Sequence, residues 1–124
     1  MQLAFVLYPE RDLAAGVQRW QRCGLRPLWW PDADTVILGA GPGSVAEVML
    51  EDDPAEHRLG PGPVFVVDDV DAFRSGHRDL DWSMEPCDVP AGRYAAFTTA
   101  DGSAVRLLDL RNDLGDQGAL FRAP

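Results

Sequence analysis

The chain has 124 residues, 46% of them hydrophobic, which predicts one compact globular domain with a core of its own. A formal net charge of −9 disfavours nucleic acid and anionic membrane surfaces as partners; it is compatible with a cationic small molecule, or with solubility alone. Two cysteines are too few for a disulfide framework, and no apolar run approaches the roughly 18 residues of a membrane span. With no basic-then-apolar leader either, we expect a cytoplasmic protein.

The first 52 residues predict the order strand, helix, strand, strand, strand. Residues 3–8 form an apolar run of strand length that Pro9 ends. Asp12 is typical of a helix N-cap, and Gly24 of the left-handed residue after a helix. The helix between them places apolar side chains at spacings of four and three. Further strands are predicted at 26–30, 35–40 and 45–51.

Residues 53–63 are rich in charge, proline and glycine, and we interpret them as a linker between two modules. The same order of elements follows in 64–111. A strand at 64–67 leads to a short helix capped by Asp68 or Asp69. Pro86 breaks the next strand, 82–89, and confines it to an edge or a bulge. A hairpin of 93–99 and 104–110 closes the module. The tail, 112–124, contains Leu120 and Phe121, which could dock on the domain or on a partner chain.

The last strand of each module carries a related sequence, GPGSVAEVML in the first and ADGSAVRLLDL in the second. Laid over each other, the two stretches match these pairs: Gly43 with Gly102, Ser44 with Ser103, Glu47 with Arg106, Val48 with Leu107 and Met49 with Leu108. A repeated unit of this kind indicates a duplicated architecture. The predicted fold class is α+β, with two βαβββ modules in a pseudo-twofold arrangement that form curved mixed sheets around a cleft.

Several motifs in this order resemble the vicinal oxygen chelate superfamily, which includes glyoxalase I, extradiol dioxygenases and bleomycin-resistance-type binding proteins. The opening with Asp12-Leu13, the helix end at residues 20–25, the helix entry at 67–71 and the turn at 97–103 carry the resemblance, which covers residues 3–111. It implies a single domain, a small-molecule ligand and a homodimer.

In that superfamily a divalent metal is held by one side chain from the first and one from the last strand of each module. The resemblance places these positions at Phe5, Glu47, Gly62 or Pro63, and Arg106. Of these only Glu47 can bind a metal, and the fixed cation of Arg106 opposes one. The two histidines, His57 and His77, lie in the linker and on the second helix. We therefore expect no metal and no cofactor, and a nearest likeness to the metal-free bleomycin-resistance-type proteins.

Strand alternation puts Glu47 and Arg106 on the faces that would meet in the cleft. They could form an internal ion pair that serves folding only, or a pair that orients a polar group of a ligand. Aromatic walls with a few polar groups are typical of small-molecule pockets. The candidate ligand-binding residues are Phe5, Trp29, Trp30, Glu47, Met49, Trp82, Phe97 and Arg106.

Three functions remain open at this point. The preferred one is a non-catalytic protein of the bleomycin-resistance type that sequesters an aromatic or cationic antibiotic. The alternative is an enzyme, namely a lyase, isomerase or dioxygenase with displaced metal ligands, or a metal-free enzyme that uses Glu47 as a base. The third is a subunit or regulator whose cavity is filled by its own side chains.

Overall fold

The computed structural model describes residues 1–41 and 43–112, which form eight strands and three helices. In chain order the elements are β1 (Gln2–Pro9), α1 (Leu13–Gln21), β2 (Arg26–Asp32), β3 (Thr35–Gly39), β4 (Val48–Glu51), α2 (Pro54–Leu59), β5 (Gly62–Val66), α3 (Val70–Gly76), β6 (Asp81–Val89), β7 (Gly92–Thr98) and β8 (Ala104–Leu108). Leu120 and Phe121, for which docking is predicted, lie outside the described residues. No helix within the described part of the chain is long and apolar enough to cross a membrane.

The eight strands form one mixed sheet in the order β2-β3-β4-β1-β5-β8-β7-β6. Each half of the sheet is one βαβββ module, and the halves join where β1 pairs with β5 in the antiparallel sense. Within each half the first strand pairs in parallel with the last, β1 with β4 and β5 with β8. This duplicated order confirms the predicted α+β fold class, with a single continuous sheet spanning the two modules.

Local sequence signals set the helix ends as predicted. The Asp12 carboxylate accepts a hydrogen bond from the amide of Ala15 (3.1 Å), and the Asp69 carboxylate accepts one from the amide of Ala72 (3.0 Å). Gly24, just beyond α1, has φ of 94°, a conformation that glycine adopts without the steric cost of a Cβ. β6 is an edge strand of the sheet, in agreement with the expectation from Pro86.

The two faces of the sheet have different coverings. One face packs on the helices: α1 lies over Val36, Leu38 and Val48, while the side chains of Val70 on α3 and Leu107 on β8 share a second cluster. The opposite face carries a third apolar cluster that continues across both modules. Its members from the strands are Phe5, Leu7, Ile37, Met49, Val64 and Leu108. The aligned pair Met49 and Leu108 both lie on this second face.

A helix that was not predicted, α2, lies within the segment interpreted as a linker. Asp53 is its N-cap, and the carboxylate accepts hydrogen bonds from the amides of Ala55 (3.0 Å) and Glu56 (3.2 Å). Pro54 occupies the first turn, where its missing N–H costs nothing. Glu56 is buried, with 4% of its surface exposed, so α2 brings a carboxylate into the interior between the modules.

Candidate functional site: a cavity between the modules

A cavity of about 200 Å³ lies on the sheet face that carries no α1 or α3. Both modules contribute to its walls, since Phe5, Leu7 and Met49 come from the first and Val64 and Leu108 from the second. The remaining lining residues are Pro31, Asp32, Thr35, Glu51, Val89, Pro90, Ala91 and Tyr94. The walls are therefore mostly apolar, with few polar groups, as is usual for small-molecule sites.

The polar side of the cavity is a row across three neighbouring strands. Asp32 of β2 pairs with Thr35 of β3, and Thr35 pairs with Glu51 of β4. The Thr35 hydroxyl Oγ1 donates a hydrogen bond to Glu51 Oε2 at 3.0 Å. Because residues opposite each other in adjacent strands share a face, the sheet itself holds these three side chains along the cavity.

The pKa of the Glu51 carboxyl is raised above its ordinary value. Burial raises its pKa from 4.5 to about 7, and the hydrogen bond from Thr35 acts in the opposite direction. The negative charges of Glu56, Asp53 and Asp32 raise the pKa further. At neutral pH this carboxyl is consequently able both to donate and to accept a proton.

Arg106 of β8 is fully buried and is held by α2. Its Nε donates a hydrogen bond to Glu56 Oε1 at 3.0 Å, and its Nη2 donates one to the carbonyl oxygen of Gly60 at 2.6 Å. Its Nη1 has no hydrogen-bond partner among the described residues. The ion pair is desolvated on both sides, which makes it geometrically fixed rather than a strong source of stability.

Tyr94 of β7 connects this ion pair to the cavity wall. Its hydroxyl donates a hydrogen bond to the other carboxylate oxygen of Glu56, Oε2, at 2.7 Å. Burial, followed by the charge of Glu56, holds the pKa of Tyr94 far above its usual value, so the phenol stays protonated. Glu56 therefore has an interior partner on each oxygen, and the aromatic ring of Tyr94 remains as lining.

The predicted pairing of Glu47 with Arg106 is wrong. Glu47 is exposed and lies just before β4, where its amide donates to the carbonyl of Leu38 at 2.9 Å. A buried arginine needs a desolvated counter-charge, and α2 supplies that charge from Glu56. Met49 and Leu108 lie on the same face, as the alignment of the two last strands predicts. That alignment could not reveal α2, because this helix lies between the two modules in the sequence.

Of the other candidate residues of the first module, Phe5, Met49 and Trp29 lie at or near the cavity, and Trp30 is not among its lining residues. Phe5 and Met49 line it directly. Trp29 is partly buried and packs against the apolar cluster on this face, whereas Trp30 is 47% exposed on the edge strand. The two rings point to opposite faces of the strand, as alternation requires, and the Trp29 ring is the one on the cavity side.

The structure does not bring Trp82 and Phe97 to the cavity. Their ring centroids lie 5.4 Å apart, and Phe73 of α3 lies 6.3 Å from Trp82 and 6.5 Å from Phe97. All three belong to the cluster between the sheet and α3. On β7 the alternation that turns Tyr94 toward the cavity turns Phe97 to the opposite face, and Trp82 is its cross-strand partner.

Comparison with known proteins gives similarity to solved structures only; no family model and no curated protein sequence matches the chain. An NAD-dependent benzaldehyde dehydrogenase from Legionella pneumophila is similar with a TM-score of 0.65 and 14% identity, over 86% of this chain and 98% of that one. A glyoxalase/bleomycin resistance protein/dioxygenase superfamily member from Vibrio splendidus has a TM-score of 0.56 and 19% identity, over 87% and 99%. The Mn(II)-bound glyoxalase from Novosphingobium aromaticivorans has the same TM-score and identity, over 87% of this chain and 38% of that one.

These likenesses agree with the duplicated βαβββ order and with the strand pairing. The chain has the vicinal oxygen chelate fold. At such low identity the comparison establishes the fold alone, and the activities of the similar proteins remain theirs.

The metal site that the vicinal oxygen chelate fold implies does not fit the residues of this chain. On the cavity face of the four central strands, Glu51 at the end of β4 is the one described side chain that can supply a ligand oxygen, and its neighbours Phe5, Met49, Val64 and Leu108 supply none. Arg106 brings a cation there and is already paired. Across residues 1–41 and 43–112, no three His, Cys, Asp or Glu side chains form a group suited to a metal.

The sequence analysis missed Thr35, Glu51, Glu56 and Tyr94, although two signals pointed to them. Strand alternation from Met49 places Glu51 on the same face, so the carboxyl could have been found one step further along β4. The sequence Asp53-Pro54 followed by Glu56 is typical of a helix start. The burial of Glu56 has no local signal, since it depends on the partner that β8 presents.

Proposed function

We propose that this protein is a non-catalytic small-molecule binding protein, which holds an aromatic or cationic compound such as an antibiotic in the cavity between its two modules. The observation that carries the proposal is the cavity itself. It combines apolar walls from both modules with a polar row of Asp32, Thr35 and Glu51, and among the described residues no three His, Cys, Asp or Glu side chains form a group suited to a metal. We place the protein in the cytoplasm, where its two free cysteines would stay reduced.

The volume of the cavity limits the part of a ligand that it can enclose. An apolar cavity of about 150 Å³ is large enough for benzene, so about 200 Å³ suits a single ring with one polar substituent. Pro31, Asp32 and Pro90 are exposed while they line the cavity, so they form its mouth. A larger compound would insert one ring and leave its remainder outside.

A panel of aromatic and cationic natural products tests the proposal by thermal shift and by tryptophan fluorescence, with Trp29 as the nearest reporter. The Ala91→Phe variant fills the cavity, because Ala91 is buried in its wall. The exposed Ala14→Phe on α1 is the matched control. Compounds that stabilise the wild type and Ala14→Phe but not Ala91→Phe support the proposal. A broad panel that stabilises none of the three proteins contradicts it.

A second candidate function rests on the Glu51 carboxyl. With a pKa of about 7 this carboxyl suits general acid–base chemistry without a metal. In a metal-free enzyme, Glu51 would therefore act as the base in place of Glu47. The exposed Glu47 has no part in the cavity lining. Deuterium exchange at the acidic carbon of small carbonyl compounds in D₂O would reveal such activity by NMR. Exchange that is lost in Glu51→Gln and kept in Glu47→Gln would favour the enzyme.

We also propose a homodimer. Large apolar side chains are exposed on the described chain, among them Leu3 (53%), Trp30 (47%) and Val45 (67%), and a self-association surface would cover such groups. Light scattering on the purified protein measures the molar mass directly. A mass of twice 13.6 kDa supports the dimer, and a monomer at high concentration contradicts it.

A further inference from the structure

We propose, on the basis of the binding function above, that the cavity takes a small organic ammonium ion. The Glu51 carboxylate is the counter-charge for the ammonium group, and the apolar body of the ligand lies against Phe5 and Met49. The ligand class is thus an arylalkyl amine or an equivalent basic ring compound, rather than a neutral or anionic aromatic. The proposal assigns Glu51 as the residue that determines this specificity.

The geometry leaves one carboxylate oxygen available for a ligand. Within residues 1–41 and 43–112, the side-chain hydrogen bond found at Glu51 is the one from Thr35 to Oε2. Glu51 is a lining residue of the cavity, and among the described residues no side-chain hydrogen bond to its Oε1 is found, so Oε1 is the atom that we assign to a ligand. An ammonium group donates hydrogen bonds and accepts none, which matches an oxygen of this kind.

The charges around Glu51 favour a cation from each side. Asp32 lies on β2, Asp53 precedes α2 and Glu56 lies on α2, and each of these carboxylates acts on Glu51. Tyr94 on β7 stays a neutral phenol. The nearest buried cation, Arg106, is already neutralised by Glu56. Among the described residues no cation pairs with Asp32 or Glu51, so Asp32 and the ionised form of Glu51 give the cavity a negative lining.

Proton release follows from the same arrangement. Without a ligand, the Glu51 carboxyl is about half protonated near pH 7, whereas the ammonium ion binds the ionised form. Between pH 8 and pH 6 the ionised fraction falls about tenfold, so the affinity for an amine falls by the same factor. A neutral ligand of the same shape has no such dependence.

Benzylamine, benzyl alcohol and benzoate form a matched set of probes with one ring and a positive, neutral or negative substituent. Titration into the ¹⁵N-labelled protein, followed by amide chemical shifts, gives both the affinity and the location. At pH 8 we expect benzylamine to bind roughly tenfold more tightly than benzyl alcohol, because its hydrogen bond to Glu51 is charge-assisted. This preference should shrink at pH 6.

The Glu51→Gln variant separates this inference from the binding function. In this variant we expect the ratio of benzylamine affinity to benzyl alcohol affinity to fall to about one and to stay the same at pH 6 and pH 8. His57, which hydrogen-bonds Asp52 at 2.7 Å, is the neighbouring group to control, and His57→Gln should keep both the preference for benzylamine and its pH dependence.

Equal or tighter binding of benzyl alcohol or benzoate by the wild type overturns the ammonium proposal and leaves the binding function standing. A preference for benzylamine that persists in Glu51→Gln overturns the proposal as well. If none of the three probes shifts amides of the cavity lining, both the proposal and the binding function fail.

Discussion

Arg106 of β8 and Glu56 of α2 form an ion pair in which neither side chain exceeds 5% exposure. The pair ties the helix between the modules to the last strand of the second module, fifty positions further along the chain. It also occupies the face on which the fold would otherwise hold a metal. This one ion pair thus holds the segment that connects the modules, and it places a paired positive and negative charge in the interior.

Replacing Glu56 should destabilise the protein strongly. In Glu56→Gln the amide oxygen can still accept from Arg106 and the amide nitrogen can donate to the Tyr94 hydroxyl, but Arg106 remains buried without a counter-charge, and we expect a loss of about 3 kcal/mol in the free energy of unfolding. Urea denaturation measures this change. The matched control is Glu85→Gln, since Glu85 pairs with Arg74 on the surface and its loss should matter far less.

The double variant Glu56→Gln with Arg106→Met should recover a large part of the loss, because it removes the unpaired charge. Equal stability of Glu56→Gln and Glu85→Gln would show that the buried ion pair does not hold α2 in place.

Glu51 should make stability fall as pH rises. Its pKa is raised in the folded state, so the folded protein binds the proton more tightly than the unfolded chain does. The cost of ionising Glu51 is absent below pH 4.5 and complete above pH 7. Glu51→Gln removes that cost, and after allowance for solvent screening it should be more stable than the wild type by about 1 to 2 kcal/mol at pH 8.

Urea titrations at several values between pH 4.5 and pH 8 test the sign and the range. Glu47→Gln, at an exposed position of the same segment, is the matched control, and the change with pH should be larger for Glu51→Gln than for this control. A Glu51→Gln difference that is constant over this range would contradict the assigned environment of Glu51.

Gly62 is required by the close approach of β5 to β8. A Cβ at this position would lie 2.0 Å from the carbonyl oxygen of Ala104 and 3.1 Å from Arg106 Nη1. Gly62→Ala should therefore lower the free energy of unfolding by about 1 to 3 kcal/mol, because it weakens the pairing of β5 with β8 beside the ion pair. Gly41→Ala, whose Cβ would meet nothing within 4 Å, is the control. Similar unfolding midpoints for the two variants would disprove the steric role.

Divalent metals should leave the protein unchanged. Elemental analysis of the purified protein should find substoichiometric metal, and added Mn²⁺ should not raise the melting temperature. A specific metal at about 100 times its Kd would stabilise the folded state by about 2.7 kcal/mol, which thermal unfolding detects readily. One equivalent of a tightly held metal would contradict the account of the cavity face.

Much of the fold was predictable because its signals are local or repeated. The side chains of Asp12 and Asp69 cap their helices by accepting hydrogen bonds from backbone amides of the first turn. Pro86 lies on an edge strand, as its missing N–H predicts. The match of Met49 with Leu108 correctly predicted two residues that lie on the same face of the sheet, one in each module. These features depend on residues a few positions apart, or on comparison of the chain with itself.

The site was only partly predictable because its partners come from distant elements. Phe5 and Met49 lie in the cavity, as expected from their strands. The partner of Arg106 could not be found by comparing the modules, since Glu56 lies on a helix that has no counterpart in either module. The aromatic character of Trp82 and Phe97 suggested a pocket, but alternation turned them toward α3.

The central claim is that the cavity between the modules is a ligand-binding site, and a crystal structure grown with benzylamine tests it most directly. The account predicts one ring between Phe5 and Met49 with its nitrogen within hydrogen-bond distance of Glu51, and an empty site in the Ala91→Phe variant. Benzylamine, benzyl alcohol and benzoate all absent from the cavity at saturating concentration, or bound only elsewhere on the protein, would contradict it, whereas the absence of benzylamine alone would contradict the ammonium proposal.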